Sequence, residues 1–133
     1  MKYKKVLLLF PDYAGGHFGP LRPPAGIGYL AQMLQEEGIE YEVLDMAAGG
    51  NLHTLKARLL SFKPDLVAIS LMSFMYKRSY YIINCVKDIS KGITVVAGGP
   101  HISTLREKAL EECKGLDYGI VQEGEYTLLE LCK

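Results

Sequence analysis

Hydrophobic positions along this chain follow two alternating rhythms. Five short apolar runs, at residues 5–10, 41–44, 66–70, 93–97 and 118–121, include several that are continuous and rich in Val, Ile and Leu. Runs of that length predict strands buried on both faces, as in a parallel sheet covered by helices. Between the runs, apolar residues recur at three- and four-residue spacing, which puts them on one face of a helix. Ile27, Leu30, Ala31 and Leu34 form one such stripe, with Gly38 as its stop. Leu52, Leu55, Leu59 and Leu60 form a second before Pro64, and Ile82, Ile83, Val86 and Ile89 a third before Gly92. Leu105, Ala109 and Leu110 predict a fourth helix ending near Gly115, and residues 127–131 begin a fifth.

Strict strand–helix alternation predicts an α/β fold: a Rossmann-like, flavodoxin-like doubly wound sheet of five parallel strands in three layers, α/β/α. Five strands favour the order 2-1-3-4-5. A chain of 133 residues is the size of one domain, and it contains no repeat, linker or low-complexity tract. The last helix has only about two turns before the chain stops. The expectation is therefore that residues 1–133 form a single domain at the front of a longer protein; the alternative is a protein that ends on a short helix.

Composition narrows the partners. Fifteen basic residues cancel fifteen acidic ones, so there is no broad cationic face and neither a nucleic acid nor an anionic membrane is expected. With 49% hydrophobic and 23% charged residues the chain is not a disordered tail. No apolar run approaches the ~20 residues that span a bilayer. The run at 6–10 is followed by Pro11-Asp12, unlike a secretion signal. Cys85, Cys113 and Cys132 are odd in number and far apart, which suits neither a disulfide framework nor a CxxC metal site. A reducing cytoplasm is the expected location.

In a sheet of this kind ligands bind beyond the carboxyl ends of the strands, so the candidate residues are those that follow each run. After the first comes a long segment, 11–24, in which Gly15 and Gly16 let backbone approach a flat ligand and His17 offers an imidazole. A plain surface loop is the alternative. After the third run, Ser70 and Ser73 offer hydroxyls to a polar edge, while Leu71, Met72 and Met75 offer soft apolar surface. The competing account puts the apolar members in the core and makes Ser73 the next N-cap. After the fourth come Gly98, Gly99, Pro100 and His101; the glycines either expose main chain to a ligand or simply make a tight turn. After the fifth, Glu123, Gly124 and Glu125 put carboxylates at a helix start, where the helix dipole alone would favour them.

Familiar nucleotide sites fit poorly. Gly26, Gly28 and Ala31 match GxGxxA, with Asp45 beyond, but that fingerprint must open directly from the first strand, and Gly26 stands sixteen residues after Phe10. Close helix packing explains those glycines better. A GxxxxGK[ST] loop is absent, and serine occupies the third-strand position where a receiver domain carries aspartate.

Four segments in order carry a resemblance to a known family. Residues 23–31, PPAGIGYLA, look like the PPxGLxYLA segment of the cobalamin-binding domains that precede radical-SAM domains. Residues 70–75, SLMSFM, are similar to their SLMTFMY-like stretch, and 98–101, GGPH, match their GGPH motif. Asp117-Tyr118 followed by Glu123-Gly124-Glu125 resembles their DYVVRGEGE ending, with Val121 and Gln122 replacing its arginine and first glycine. The resemblance implies a cobalamin at the carboxyl ends of the strands, its nucleotide tail threading beside the third and fourth. Ser70 and Ser73 match positions that bond the tail or corrin, and Gly98, Gly99 and Pro100 match positions lining the tail's benzimidazole. Leu71, Met72, His101, Glu123 and Gly124, with Gly15, Gly16 and His17 of the first segment, complete the implied site.

Two departures shape the expectation. Asp12 and His17 are five apart, so the DxHxxG motif whose histidine ligates cobalt is absent. The resemblance then implies a corrinoid bound base-off without a histidine ligand, and no residue here is assigned to a metal. The CxxxCxxC of a radical-SAM cluster is also absent. S-adenosylmethionine and a [4Fe-4S] cluster would thus belong to a downstream radical-SAM domain of the parent, expected to be a methyltransferase or oxidoreductase, and this chain alone is expected not to be catalytic. Two alternatives stay open: a cofactor-free flavodoxin-like scaffold or interaction domain, and a small nucleotide- or flavin-binding protein.

Overall fold

The computed structural model describes residues 3–11, 25–46, 51–70, 76–98, 102, 105, 107–120, 128 and 131–132. Among the described residues five strands, β1 (Lys5–Phe10), β2 (Glu40–Asp45), β3 (Leu66–Ser70), β4 (Thr94–Gly98) and β5 (Tyr118–Gly119), alternate with four helices. These are α1 (Ala25–Glu36), α2 (Leu52–Phe62), α3 (Tyr76–Ile89) and α4 (Glu107–Glu112). Leu128, Leu131 and Cys132 are helical too. All four strand pairings are parallel, and the order is β2-β1-β3-β4-β5, the doubly wound order that the alternation predicts.

Alternation along the strands divides the core in two. Leu7 and Leu9 of β1, Val67 and Ile69 of β3, and Val95 and Ala97 of β4 face one side, packed with α2, α3 and α4 residues such as Leu55, Leu59, Ile82, Ile83, Val86 and Ala109. Val6, Leu8, Leu66 and Val96 face the other, under Ala31 and Leu34 of α1 and under Leu128 and Cys132. Val6, Leu7, Leu8 and Leu9 are all fully buried. This is why the run is continuously apolar: each such side chain contributes about 1.5–3 kcal/mol by leaving water, on whichever face it lies.

Local chemistry sets the helix ends. Asn51 caps α2, its side chain accepting from Thr54 N at 2.9 Å. Gly38, at φ 74°, ends α1 in a left-handed turn. There Gly38 N donates to Gln35 O at 3.1 Å and Ile39 N to Leu34 O at 2.9 Å, the double bond pattern of a glycine C-cap. Of the described residues in the fifth run, Tyr118 and Gly119 pair with β4, and one further bond, Ile120 N to Ala97 O at 2.8 Å, extends the ladder.

The amino edge of the sheet is closed by two aspartates. The Asp65 carboxylate, just before β3, accepts from Lys4 N at 3.0 Å and Lys5 N at 3.2 Å, joining the start of β1 to that of β3. Asp117, just before β5, accepts from Val95 N at 2.8 Å and from Lys87 Nζ of α3. Tyr3 adds an N–H bond to Cys132 O at 3.0 Å and a phenol bond to Thr94 Oγ1 at 3.1 Å. Removing the Asp65 acceptors in Asp65→Ala is expected to cost about 1.5–3 kcal/mol, the worth of hydrogen bonds to a charged acceptor. Urea unfolding measures this; an unchanged midpoint would deny the clamp.

Candidate functional site

With the amino edge tied down, the carboxyl edge is where chain segments leave the strands. There Ser70 and Gly98, the last residues of β3 and β4, are register partners. Side chains alternate along a strand, so Leu66, Ala68 and Ser70 share one face of β3, and Val96 and Gly98 share the same face of β4. This is the face under α1, because Leu66 and Val96 belong to its core and Ala68 packs against it with Phe10 and Leu30. Although β3 is the centre of five strands, Ala68 and Ser70 are only partly buried, and so is Gly98. The register explains it. Ala68 stands between Leu8, fully buried, and Val96, 2% exposed, so the short alanine leaves a dip between two larger neighbours. Serine and then glycine continue the dip to the strand ends.

Gly98 confirms that this space is open among the described residues. A Cβ built there would meet Ile120 O at 3.8 Å and Ile120 Cβ at 4.0 Å, which is ordinary contact. The opposite face is shut. A Cβ on Gly119 would meet Cγ2 of Ile102 at 3.1 Å, and Ile102 is 1% exposed. Among the described residues the sheet therefore offers a slot on its α1 face, floored by Ala68, Ser70 and Gly98 and bordered by Ile120. Small apolar floor, one hydroxyl and bare main chain suit a flat organic group with a polar edge, and poorly suit a metal ion.

Titratable groups buried on the two sides of the sheet serve structure. Tyr80 of α3 donates its phenol to Glu112 of α4 at 2.8 Å; burial first, and then that hydrogen bond and charge, push the phenol well above its usual range. Burial raises the Cys113 thiol. Burial, with the Asp65 charge adding, pushes Cys132 up to about 11. Burial in apolar surroundings is what both shifts share, as for structural thiols. Among the described residues no group of three or more His, Cys, Asp or Glu is placed to hold a metal ion, and no helix is long and apolar enough to cross a membrane.

Of the residues singled out from the sequence, the structure brings Ser70 and Gly98 together. Gly15, Gly16, His17, Leu71, Met72, Ser73, Gly99, Pro100, His101, Glu123 and Gly124 lie outside the described residues. Asp117, part of a motif in the resemblance, sits at the amino edge as a clamp, away from the slot. Gly26 and Gly28 fall inside α1, so they do not form the turn that leaves β1. Ala68 and Ile120 escaped the sequence reading. The signal was present in β3, where every second residue shrinks from Leu66 to Ala68 to Ser70.

The B12 binding domain family matches residues 13–132. An uncharacterized methyltransferase of Pyrococcus horikoshii is 32% identical over 135 residues, covering 98% of this chain and 29% of that protein. The structure of the radical S-adenosylmethionine methyltransferase TsrM of Kitasatospora setae superposes with a TM-score of 0.80 at 26% identity, covering 97% of this chain and 25% of that one. The cobalamin-dependent S-adenosylmethionine radical enzyme OxsB, with aqua-cobalamin and S-adenosylmethionine bound, gives 0.81 at 22% identity over 98% of this chain and 18% of that one, a likeness of fold. The chain thus spans under a third of the length of each of these proteins.

The two faces predict opposite responses to one methyl group. Gly98→Ala is expected to leave stability unchanged or raise it by up to about 1 kcal/mol, since the site has room and glycine is costly in a strand. Gly119→Ala is expected to lose about 1 kcal/mol by pressing on Ile102. Paired thermal melts check this; equal losses in both variants would mean that the slot is filled.

Proposed function

The chain belongs to the B12 binding domain family, and we propose that it is the corrinoid-binding module of a longer cobalamin-dependent radical-SAM enzyme. The observation that carries this reading is the slot on the α1 face, where Ala68, Ser70 and Gly98 keep the middle of a buried sheet open. A cofactor-free scaffold has no reason to leave such a dip, because filling it with larger side chains would add to the core. A corrinoid has a reason. Its nucleotide tail ends in a flat base that needs a narrow, glycine-lined recess, and its macrocycle needs an edge without bulk.

In this reading Ser70 donates its hydroxyl to a polar group of the tail, and Gly98 leaves its main chain bare against the base. Ala68 limits how deep the base can go, and Ile120 closes the β5 side. Gly99 and Pro100 are proposed to line the tail's base with Gly98, Ser73 to bond the tail or corrin, and Gly15, Gly16, His17, Leu71, Met72, His101, Glu123 and Gly124 to complete the site. The spacing of Asp12 and His17 supports a tail bound away from cobalt with no histidine in its place. When bound, cobalamin supplies a cobalt centre for methyl transfer or related radical chemistry. The S-adenosylmethionine and [4Fe-4S] cluster of that chemistry would be held by a downstream domain. Methyltransferase relatives much longer than this chain support such a parent.

Hydroxocobalamin titration, gel filtration and a visible spectrum test the proposal. Co-elution with a base-off spectrum is expected, unchanged in His17→Ala. Gly98→Leu should stay folded yet weaken binding at least about tenfold, a loss of 1.4 kcal/mol. A folded Gly98→Leu variant with unaltered affinity would remove the slot from the site. Failure of the parent sequence to retain cobalamin would favour the scaffold reading.

A further inference from the structure

The two strand ends that floor the slot stand in a row with their neighbours. Ser70 of β3 and Gly98 of β4 are register partners. Leu9 pairs with Ile69, so the next residues, Phe10 and Ser70, are level; Ala97 pairs with Gly119, so Gly98 and Ile120 are level. The row lies on the α1 face, where Ile120 is part of the core and Phe10 packs against it with Leu30 and Ala68. It therefore runs large, small, bare, large. Adjacent strands are about 4.8 Å apart, so the backbones of Phe10 and Ile120 stand roughly 14 Å apart across β1, β3, β4 and β5. Between these walls nothing bulky intervenes, which leaves breadth for a flat two-ring base.

Breadth does not choose among such bases; the lining does. Phe10, Leu30, Ala68 and Ile120 present carbon. Between the walls the described residues offer one side-chain hydrogen-bonding group, the Ser70 hydroxyl. One carbonyl stands at the border, Ile120 O, 3.8 Å from the place a Gly98 Cβ would take. The row beneath adds none, because Leu8, Ala68 and Val96 are side by side in register. Nor does the opposite side, where Ser79 of α3 is fully buried and its Oγ makes no hydrogen bond. A benzimidazole held away from cobalt has a single free ring nitrogen, an acceptor that one hydroxyl satisfies, and its alkyl groups suit carbon walls. A purine of the same breadth carries further ring nitrogens and an amino group. This lining leaves most of them without partners, and a buried polar group without a partner is costly.

We propose that the slot selects among corrinoids by their lower base, admitting an alkylated benzimidazole and rejecting a purine. The inference rests on the cobalamin reading above and adds to it which corrinoids the chain accepts. Phe10 and Ile120 set the breadth of the slot, Ser70 satisfies the one ring nitrogen, and Ala68 sets the polarity of the floor.

Three ligands test it on the unaltered chain: hydroxocobalamin, the corrinoid with adenine as its lower base, and cobinamide, which has no lower base. Spectrophotometric titration should rank hydroxocobalamin tightest, with the adenine form weaker by at least about tenfold, equivalent to 1.4 kcal/mol. Ala68→Ser gives the floor a hydroxyl with little change in volume. It should narrow the ratio between the two bases by about threefold or more, a share of one ordinary hydrogen bond, with a thermal melt showing that it is folded. Equal affinity for the two bases in the unaltered chain would overturn the selection while leaving the cobalamin reading intact. Cobinamide binding as tightly as hydroxocobalamin would overturn it too, because the base would then make no use of the slot. A folded Ala68→Ser variant that keeps the original ratio would remove the floor as its determinant. Absence of binding by all three ligands would instead strike the cobalamin reading, and this inference with it.

Discussion

A parallel sheet cannot leave either face in water. Each strand must be followed by a crossover that returns the chain to the starting edge, and each crossover lays an amphipathic helix on one face. Every other feature here depends on that requirement. It demands the fully buried run from Val6 to Leu9, and it pairs β3 with both β1 and β4 at the centre. It also sends all strands the same way, so their starts collect at one edge and their ends at the other. The two edges can then specialise.

The amino edge specialises in closure. Asp65 and Asp117 each place a carboxylate at a strand start, where the main-chain N–H groups of neighbouring strands have no ladder partner. A charged acceptor is worth more to those donors than water when the edge is partly shielded. The carboxyl edge keeps its main chain available instead. On the face under α2, α3 and α4 even one methyl at Gly119 would crowd Ile102, whereas on the α1 face the Ala68–Ser70–Gly98 dip stays open. One sheet thus has a sealed side and an accessible side at the same edge. That asymmetry makes a binding site out of a general fold.

Ser79 belongs to the sealed side and shows that sealing is not the same as satisfaction. Dense packing excludes water from its hydroxyl, and no protein group replaces the water.

Much of this was legible in the order of residues. Buried strands need unbroken apolar runs, and covering helices need a 3.6-residue stripe, so periodicity alone specifies five strands, their parallel sense and the helices between. Gly38 announces the end of α1 because left-handed backbone is a local demand. Motif order pointed to the cobalamin-binding family, and Ser70 and Gly98 were visible as strand-end residues. What only the tertiary structure decided concerns faces and neighbours. Whether Gly98 opens a slot or fills a turn depends on Ile120, twenty-two residues away; whether Ala68 is core or floor depends on Leu8 and Val96 beside it. Asp117 reads as part of a binding motif until the sheet puts it at the opposite edge. Periodicity is a property of one segment, but open space is defined by what several segments fail to fill, and no single segment carries that information.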